Sequence, residues 1–183
     1  MRTILWRRLD VPGADAARII ETPAPLLEGT AVFAEDAPSH LDYLVRCDAA
    51  WHTVSATVTG WIGDRAIDLS IAADKDGRWR LNGAEIPAIQ GCTDVDLSFT
   101  PMTNMLPIRR LQLKIGDRAP VRSAWLRFPE CVLEPLEQVY QRVDDKIYRY
   151  ESDGGSFIAT LKVDASGLVT SYENLWNAER STA

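Results

Sequence analysis

Hydrophobic and polar residues alternate with a period of two along most of this chain. In the segment from Ser156 to Val163, one face carries Phe157, Ala159, Leu161 and Val163. Segments 51–62 and 65–73 repeat the alternation and are joined by Gly63-Asp64. Because successive side chains of a strand point to opposite faces, this period is typical of half-buried strands, and a short Gly-containing connection indicates a hairpin. The pattern predicts antiparallel pairing.

Other short alternating segments are separated by turn sequences such as Asp76-Gly77 and Asn82-Gly83. We predict additional strands at Ile4–Leu9, Leu27–Ala34, Leu41–Asp48, Trp79–Leu81, Val95–Phe99, Leu111–Ile115, Val121–Phe128, Val139–Val143, Ile147–Tyr150 and Leu168–Tyr172. One helix is predicted from Asp15 to Glu21, before Pro23. The expected fold is mostly β: one domain over residues 1–183, with a single large, strongly curved antiparallel sheet, as a half-barrel or open barrel, and one or two short helices.

The composition narrows the class of partner. The chain has 20 Lys and Arg against 26 Asp and Glu, a net charge of −6, and this acidic balance argues against nucleic acid because phosphate binding needs clustered cations. No apolar segment approaches the length of a membrane helix, and the N-terminal segment lacks the pattern of a secretory signal. The three cysteines are an odd number without a C-x-x-C pair, as expected in a reducing compartment. We therefore expect a cytoplasmic protein without stable membrane insertion.

Catalytic signatures are scarce. The two histidines, His40 and His52, match no zinc-binding template, and no phosphate-binding loop or nucleophile elbow occurs, so we expect no metal and no cofactor. Asp94 and Asp96 lie on one face of a predicted strand and admit two interpretations. They could perform acid–base chemistry, or they could pair with Arg109 and Arg110; we favour the pairing. Whether the chain is an enzyme stays open at this point, with the balance against it.

The most distinctive segment runs from Asp94 to Leu111. Thr100-Pro101 predicts a turn, and Thr103 and Asn104 are suited to satisfy free backbone groups. If the following residues are extended, Arg109 and Arg110 point in opposite directions, so that one can meet an aspartate while the other faces a cavity. A guanidinium suits a carboxylate, a phosphate or sugar hydroxyls.

At this segment the sequence resembles the bacterial "putative glycolipid-binding" family, long a domain of unknown function. The chain shows every fixed position of the family's pattern D-V-D-x-x-x-T-P-x-T-N-x-L-P-I-R-R-L. Further matching positions lie from about Trp6 to Trp176, among them Tyr43, Asp48, Trp51, Gln138, Tyr140, Tyr148, Tyr150, Phe157 and Tyr172. The resemblance implies one large curved sheet similar to the half-barrel of lipoprotein-localisation factors. It implies no catalytic residue.

These observations lead to one hypothesis and two alternatives. A concave sheet face offers a site for an amphiphilic ligand, a glycolipid or an acyl-chain compound. The residues expected to bind it are Trp51, Asp96, Asn104, Arg109, Arg110, Tyr140 and Tyr150. The first alternative is a non-catalytic structural or interaction protein acting as a homodimer through a sheet face or edge strand. The second is a hydrolase that uses Asp94 and Asp96.

Overall fold

The computed structural model describes residues 1–182, and its strands form one sheet of fifteen. The sheet contains, in chain order, β1 (Arg2–Arg8), β2 (Gly13–Ile20), β3 (Leu26–Ala34), β4 (Pro38–Cys47), β5 (Thr53–Ile62), β6 (Arg65–Ala73), β7 (Trp79–Leu81), β8 (Ala84–Glu85), β9 (Asp94–Leu97), β10 (Arg118–Arg127), β11 (Val132–Asp144), β12 (Ile147–Ser152), β13 (Phe157–Val163), β14 (Val169–Tyr172) and β15 (Trp176–Thr182). The helix α1 spans Met105–Leu111. Short 3-10 turns cover 87–89, 102–104 and 153–155.

Sequential antiparallel hairpins build the sheet, and the first and last long strands meet in its middle. The order is β8-β7-β6-β5-β4-β3-β2-β1-β15-β14-β13-β12-β11-β10-β9. Among the strands of residues 1–182, only β9 pairs in parallel, with β10. The predicted large antiparallel sheet that does not close is therefore confirmed.

Strong curvature brings the β9 edge back towards β5. The amide of Thr53 donates to the carbonyl of Thr93 at 3.1 Å, and the Thr53 hydroxyl accepts from the amide of Val95 at 2.9 Å. Arg122 donates to the carbonyls of Ala88 and Gln90, which holds the preceding loop against β10. These contacts satisfy part of an edge that would otherwise present free backbone groups.

The concave face is filled by its own side chains. Along β4, every second residue from Ser39 to Cys47 is buried, as the alternation requires. The segment after β9 lies within this concavity, and four residues of α1 are buried against the sheet: Met105, Leu106, Pro107 and Ile108. The middle of the concave face is thus a packed core.

The predicted helix from Asp15 to Glu21 is wrong, because residues 15–20 belong to β2 and Glu21 directly follows the strand. Its alanines and isoleucines suggested a helical stripe, but Asp15, Ala17 and Ile19 are buried in alternation. The strand pairs with β1 on one side and β3 on the other. Hydrogen bonding to two neighbours overrode the local preference.

The predicted strand from Leu111 to Ile115 and the extended path before it are also wrong. Residues 105–111 form α1, with Pro107 in the first turn, where a missing amide proton costs no helical hydrogen bond. The helix ends at Leu111, and the next residue, Gln112, has a left-handed φ of 46°. Within this segment, Thr100 and Thr103 accept the backbone amide protons of Met102 and Leu97. Thr103 thus has its expected role, whereas Asn104 does not.

Candidate functional site

Two cavities lie at opposite ends of the half-barrel. The strand β12 begins after the turn at Asp145-Lys146 and ends at the turn containing Asp153, so these turns mark the two ends. At the Asp153 end lies a cavity of about 450 Å³, here named the tyrosine cavity. At the Lys146 end lies one of about 560 Å³, here named the arginine cavity.

The tyrosine cavity combines polar groups with aromatic and aliphatic walls. It is lined by Asp96, Ser98, Thr100, Asn104, Trp125, Arg127, Leu136, Tyr150, Ser152, Asp153, Phe157, Tyr172, Leu175 and Trp176. Its volume lies within the range typical of ligand pockets, roughly 300–1,000 Å³. The buried members include Tyr150 and Tyr172, while Phe157 is 38% exposed at the mouth.

Asp96 is the more buried of the two carboxyl groups that line this cavity, the other being Asp153. The Oδ2 of Asp96 accepts one hydrogen bond, from Gln138 Nε2 at 2.6 Å, and no cation pairs with it among residues 1–182. Removal from water, and to a lesser degree the neighbouring Asp94, raise the pKa of Asp96 to about 6, against the hydrogen bond from Gln138, which lowers it. Asp96 can therefore change charge in the mildly acidic range.

Buried tyrosines continue the polar network. Gln138 Nε2 also lies 3.0 Å from the hydroxyl of Tyr150, which hydrogen bonds to Tyr172. The ring of Tyr150 stands edge-on to those of Tyr140 and Tyr172, with centroids 5.2 and 5.9 Å apart. Burial raises the pKa of both Tyr150 and Tyr172, so these phenols stay neutral and can donate or accept hydrogen bonds.

Asn104 connects α1 to this network. Its Nδ2 donates to the hydroxyl of Tyr140 at 2.9 Å, which fixes the amide at the cavity wall. Tyr140 itself is buried behind the wall. Of the residues expected to bind a ligand, Asp96, Asn104 and Tyr150 thus line one cavity, and Tyr140 supports it.

A second carboxyl without a cationic partner lies behind Thr100. Asp15 Oδ2 accepts hydrogen bonds from the hydroxyls of Thr100 and Tyr43, the latter at 2.9 Å. Its Oδ1 is buried without a hydrogen-bond partner among the described residues. Burial raises the pKa of Asp15 to about 6, opposed by the two hydrogen bonds. The sequence does not reveal this group, because its local pattern predicts a helix at Asp15 and not a strand with Asp15 on the buried face.

Asp94 has a different environment from Asp96. Its carboxylate forms a salt bridge with Arg110, whose Nη2 also donates to Thr93 Oγ1 at 2.9 Å. The Asp94 side chain is 1% exposed and that of Arg110 15%. The expected pairing with an arginine therefore holds for Asp94 and Arg110, whereas Asp96 pairs with neither arginine. Arg110 is committed to this pair and lines neither cavity.

Arg109 and Trp51 lie together in the arginine cavity, away from the other expected site residues. The Arg109 guanidinium carbon lies 4.6 Å from the centre of the Trp51 ring. The Nη1 of Arg109 donates to the carbonyl of Ser166 at 3.1 Å. The single site expected from the sequence is therefore split between two ends of the molecule.

Two residues that line the tyrosine cavity, and one that supports it from behind, were missed from the sequence. Gln138, Phe157 and Tyr172 occur among the family-like positions, but nothing in their spacing assigned them to a site. The register supplies the signal: Gln138 faces Ser152 and Tyr140 faces Tyr150 across β11 and β12. Cross-strand neighbours on one face lie close enough to act together.

Two general features bear on ligands. Among residues 1–182, no three or more His, Cys, Asp or Glu side chains converge in a way that could hold a metal ion. No helix in this part of the chain has the length and apolarity needed to cross a membrane.

Comparison with protein families identifies the class to which this fold and site belong. The family described as "Putative glycolipid-binding" matches residues 3–178, and the chain belongs to it. A search of curated proteins finds no match.

Two solved structures are similar to this chain. A DUF1089 family protein from Pseudomonas aeruginosa is 33% identical, with a TM-score of 0.80, over 89% of this chain and 91% of that protein. A β-barrel-like protein of the domain of unknown function DUF1849 from Brucella abortus has a TM-score of 0.56 at 5% identity, over 98% of this chain and 96% of that one. The second likeness concerns the fold alone.

Proposed function

We propose that the protein is a non-catalytic binding module whose tyrosine cavity holds the polar head of an amphiphilic compound, such as a glycolipid. The observation that carries this proposal is Asp96, a carboxyl group without a cationic partner that lines a cavity together with an amide and phenols. Carboxylate, amide and phenol groups supply both acceptors and donors for ligand hydroxyls. The family name supports a sugar-bearing head.

The distribution of side chains gives the ligand an orientation. Buried Tyr150 and Tyr172 lie with Asp96 in the polar network, whereas the partly exposed Leu136, Phe157 and Leu175 supply apolar surface. The middle of the sheet is filled by α1 and the core, so a long acyl chain has no room there. The head therefore enters the cavity and the chain leaves across the apolar residues.

Binding of n-octyl β-D-glucopyranoside below its micelle concentration tests this proposal. Trp125 and Trp176 line the cavity, so their fluorescence reports occupancy. We expect tighter binding of octyl glucoside than of glucose, which lacks the chain, or of octyl phosphocholine, which carries another head. Equal binding of octyl glucoside and octyl phosphocholine would contradict recognition of the head. Native mass spectrometry of freshly purified protein complements this test by searching for a bound amphiphile.

The variant Asp96→Asn connects the binding to this cavity. We expect about tenfold weaker binding of octyl glucoside at pH 8, because a hydrogen bond to a charged group is worth roughly 1.5–3 kcal/mol. The matched control is Asp68→Asn, which removes the same charge from an exposed position of β6. Equal effects of the two substitutions would place the ligand elsewhere.

A homodimer is the second candidate, favoured by an exposed row on the outer sheet face. The register aligns Val32, His40 and Trp61 across β3, β4 and β5, with Val32 48% and Trp61 44% exposed. The rings of His40 and Trp61 stack at 5.9 Å. Sedimentation velocity decides: a dimer dissociated by Trp61→Ser would support this candidate, and a wild-type monomer would exclude it.

A cytoplasmic location stays a prediction, tested by cell fractionation.

A further inference from the structure

We infer that the arginine cavity is a second ligand site, which binds a phosphate-type oxyanion. Its position at the opposite end of the half-barrel makes it independent of the tyrosine cavity. Three cations line it, Arg109, Arg142 and Lys146, against two carboxylates, Asp145 and Asp164.

Both guanidinium groups are held in place before any ligand arrives. Arg109 lies over Trp51 at 4.6 Å, and Arg142 lies 5.9 Å from the centre of the Tyr148 ring. Arg142 also donates to the carbonyl of Leu113 at 2.9 Å. A planar guanidinium fixed against an aromatic ring presents its remaining donors in a set direction, which suits oxyanions.

The two carboxylates of the cavity are already occupied. Asp164 accepts the amides of Ser166 and Leu168 within its own turn and forms an ion pair with Arg2 at 3.1 Å. Asp145 pairs with Arg142 at 3.2 Å. Neither carboxylate forms an ion pair with Arg109 or Lys146.

Positive charge remains available. The side chain of Lys146 has no polar partner in the part of the chain that the structure describes. Arg109 has its nearest carboxylate, that of Glu21, at 3.9 Å, with both side chains about one-third exposed. An anion between Arg109 and Lys146 would therefore neutralise positive charge that no closely paired carboxylate balances.

Titration with sodium phosphate, followed by the ¹H–¹⁵N signals of Lys146, Ser166 and Gly167, tests this inference. Sodium chloride at equal ionic strength is the reference. We expect saturable changes with phosphate alone, and roughly three- to fivefold weaker binding in Lys146→Gln, the size of effect typical of one exposed charge. Lys162→Gln, an exposed lysine of β13 outside the cavity, serves as the matched control.

Two further probes distinguish the source of the oxyanion. Glycerol 3-phosphate represents a soluble phosphate ester, and vesicles of phosphatidic acid in phosphatidylcholine represent a lipid headgroup. A response to either supports the site and identifies its source. Identical changes with chloride, or equal effects of Lys146→Gln and Lys162→Gln, would overturn the inference. Binding of octyl glucoside should be unchanged in Lys146→Gln, so this test fails or succeeds independently of the proposed function.

Discussion

Asp94 and Asp96 lie two residues apart on one face of β9, yet they belong to different regions of the molecule. Asp94 is buried in a salt bridge with Arg110, whereas Asp96 lines the tyrosine cavity and accepts one hydrogen bond, from the amide of Gln138. The same residue type thus serves the fold at one position and offers a binding group at the next. The difference arises from α1, because its turn directs Arg110 to Asp94 and Arg109 away from both aspartates.

The largest expected effect comes from breaking this buried salt bridge. Arg110→Met keeps most of the side-chain volume but leaves Asp94 buried without a cation, which should lower the free energy of unfolding by roughly 3–5 kcal/mol. Urea denaturation at pH 7 measures this loss. The double variant Asp94→Asn with Arg110→Met should recover part of the stability. A loss below about 1 kcal/mol for Arg110→Met would show that this pair resembles an exposed one.

A smaller effect is expected at Asp15, which like Asp96 has no cation. Its pKa is raised to about 6 in the fold, against roughly 3.9 when unfolded. The neutral form therefore stabilises the fold, fully below about pH 4, and this contribution is lost as the pH rises through 6. Charging Asp15 should cost up to about 3 kcal/mol.

The variant Asp15→Asn isolates that contribution. We expect it to raise the free energy of unfolding relative to wild type at pH 8 more than at pH 4.5, measured by urea denaturation at both values. Asp68→Asn, on the exposed face of β6, should leave the pH dependence unchanged. An unchanged pH dependence in Asp15→Asn would mean that Asp15 ionises inside the fold without penalty.

The smallest stability change is expected at Asp96 itself. Because the pKa of Asp96 is raised to about 6, its charge also costs stability at pH 8, but Asp96→Asn weakens the hydrogen bond from Gln138 as well, so the net gain in stability should be smaller than that of Asp15→Asn. The same substitution should weaken the binding of octyl glucoside. A gain in stability with a loss of binding is what a group kept for function predicts. Strong destabilisation would instead place Asp96 with Asp94 as a structural residue.

The sequence predicted the sheet because its period of two is strong wherever one face is buried. The strand β6 shows this, with Ile67 and Ile71 buried and Asp68 exposed. It failed where packing overrode the local pattern. Asp15 is an acidic residue on the buried face of β2, which the alternation does not predict. In α1, Pro107 indicates an extended path, although it lies in the first turn of the helix.

The candidate site was predicted only in part. The residues of the Asp94–Leu111 motif were recognised, but their division between a salt bridge and two cavities depends on the turn of α1 and on the register of β11 with β12. Neither the turn of α1 nor this register can be inferred from the spacing of residues along the chain. Trp51 illustrates the same limit, since it was expected to share one site with Tyr150 and instead lines the arginine cavity.

Titration of the two aspartates by ¹³C carboxyl NMR tests the central claim most directly, namely that Asp96 is a cavity group available to a ligand. We predict a midpoint near 6 for Asp96 and a carboxyl signal that moves with octyl glucoside but not with octyl phosphocholine, while the Asp94 signal stays unchanged by either. An Asp96 midpoint near 4, with a signal insensitive to octyl glucoside, would contradict the account.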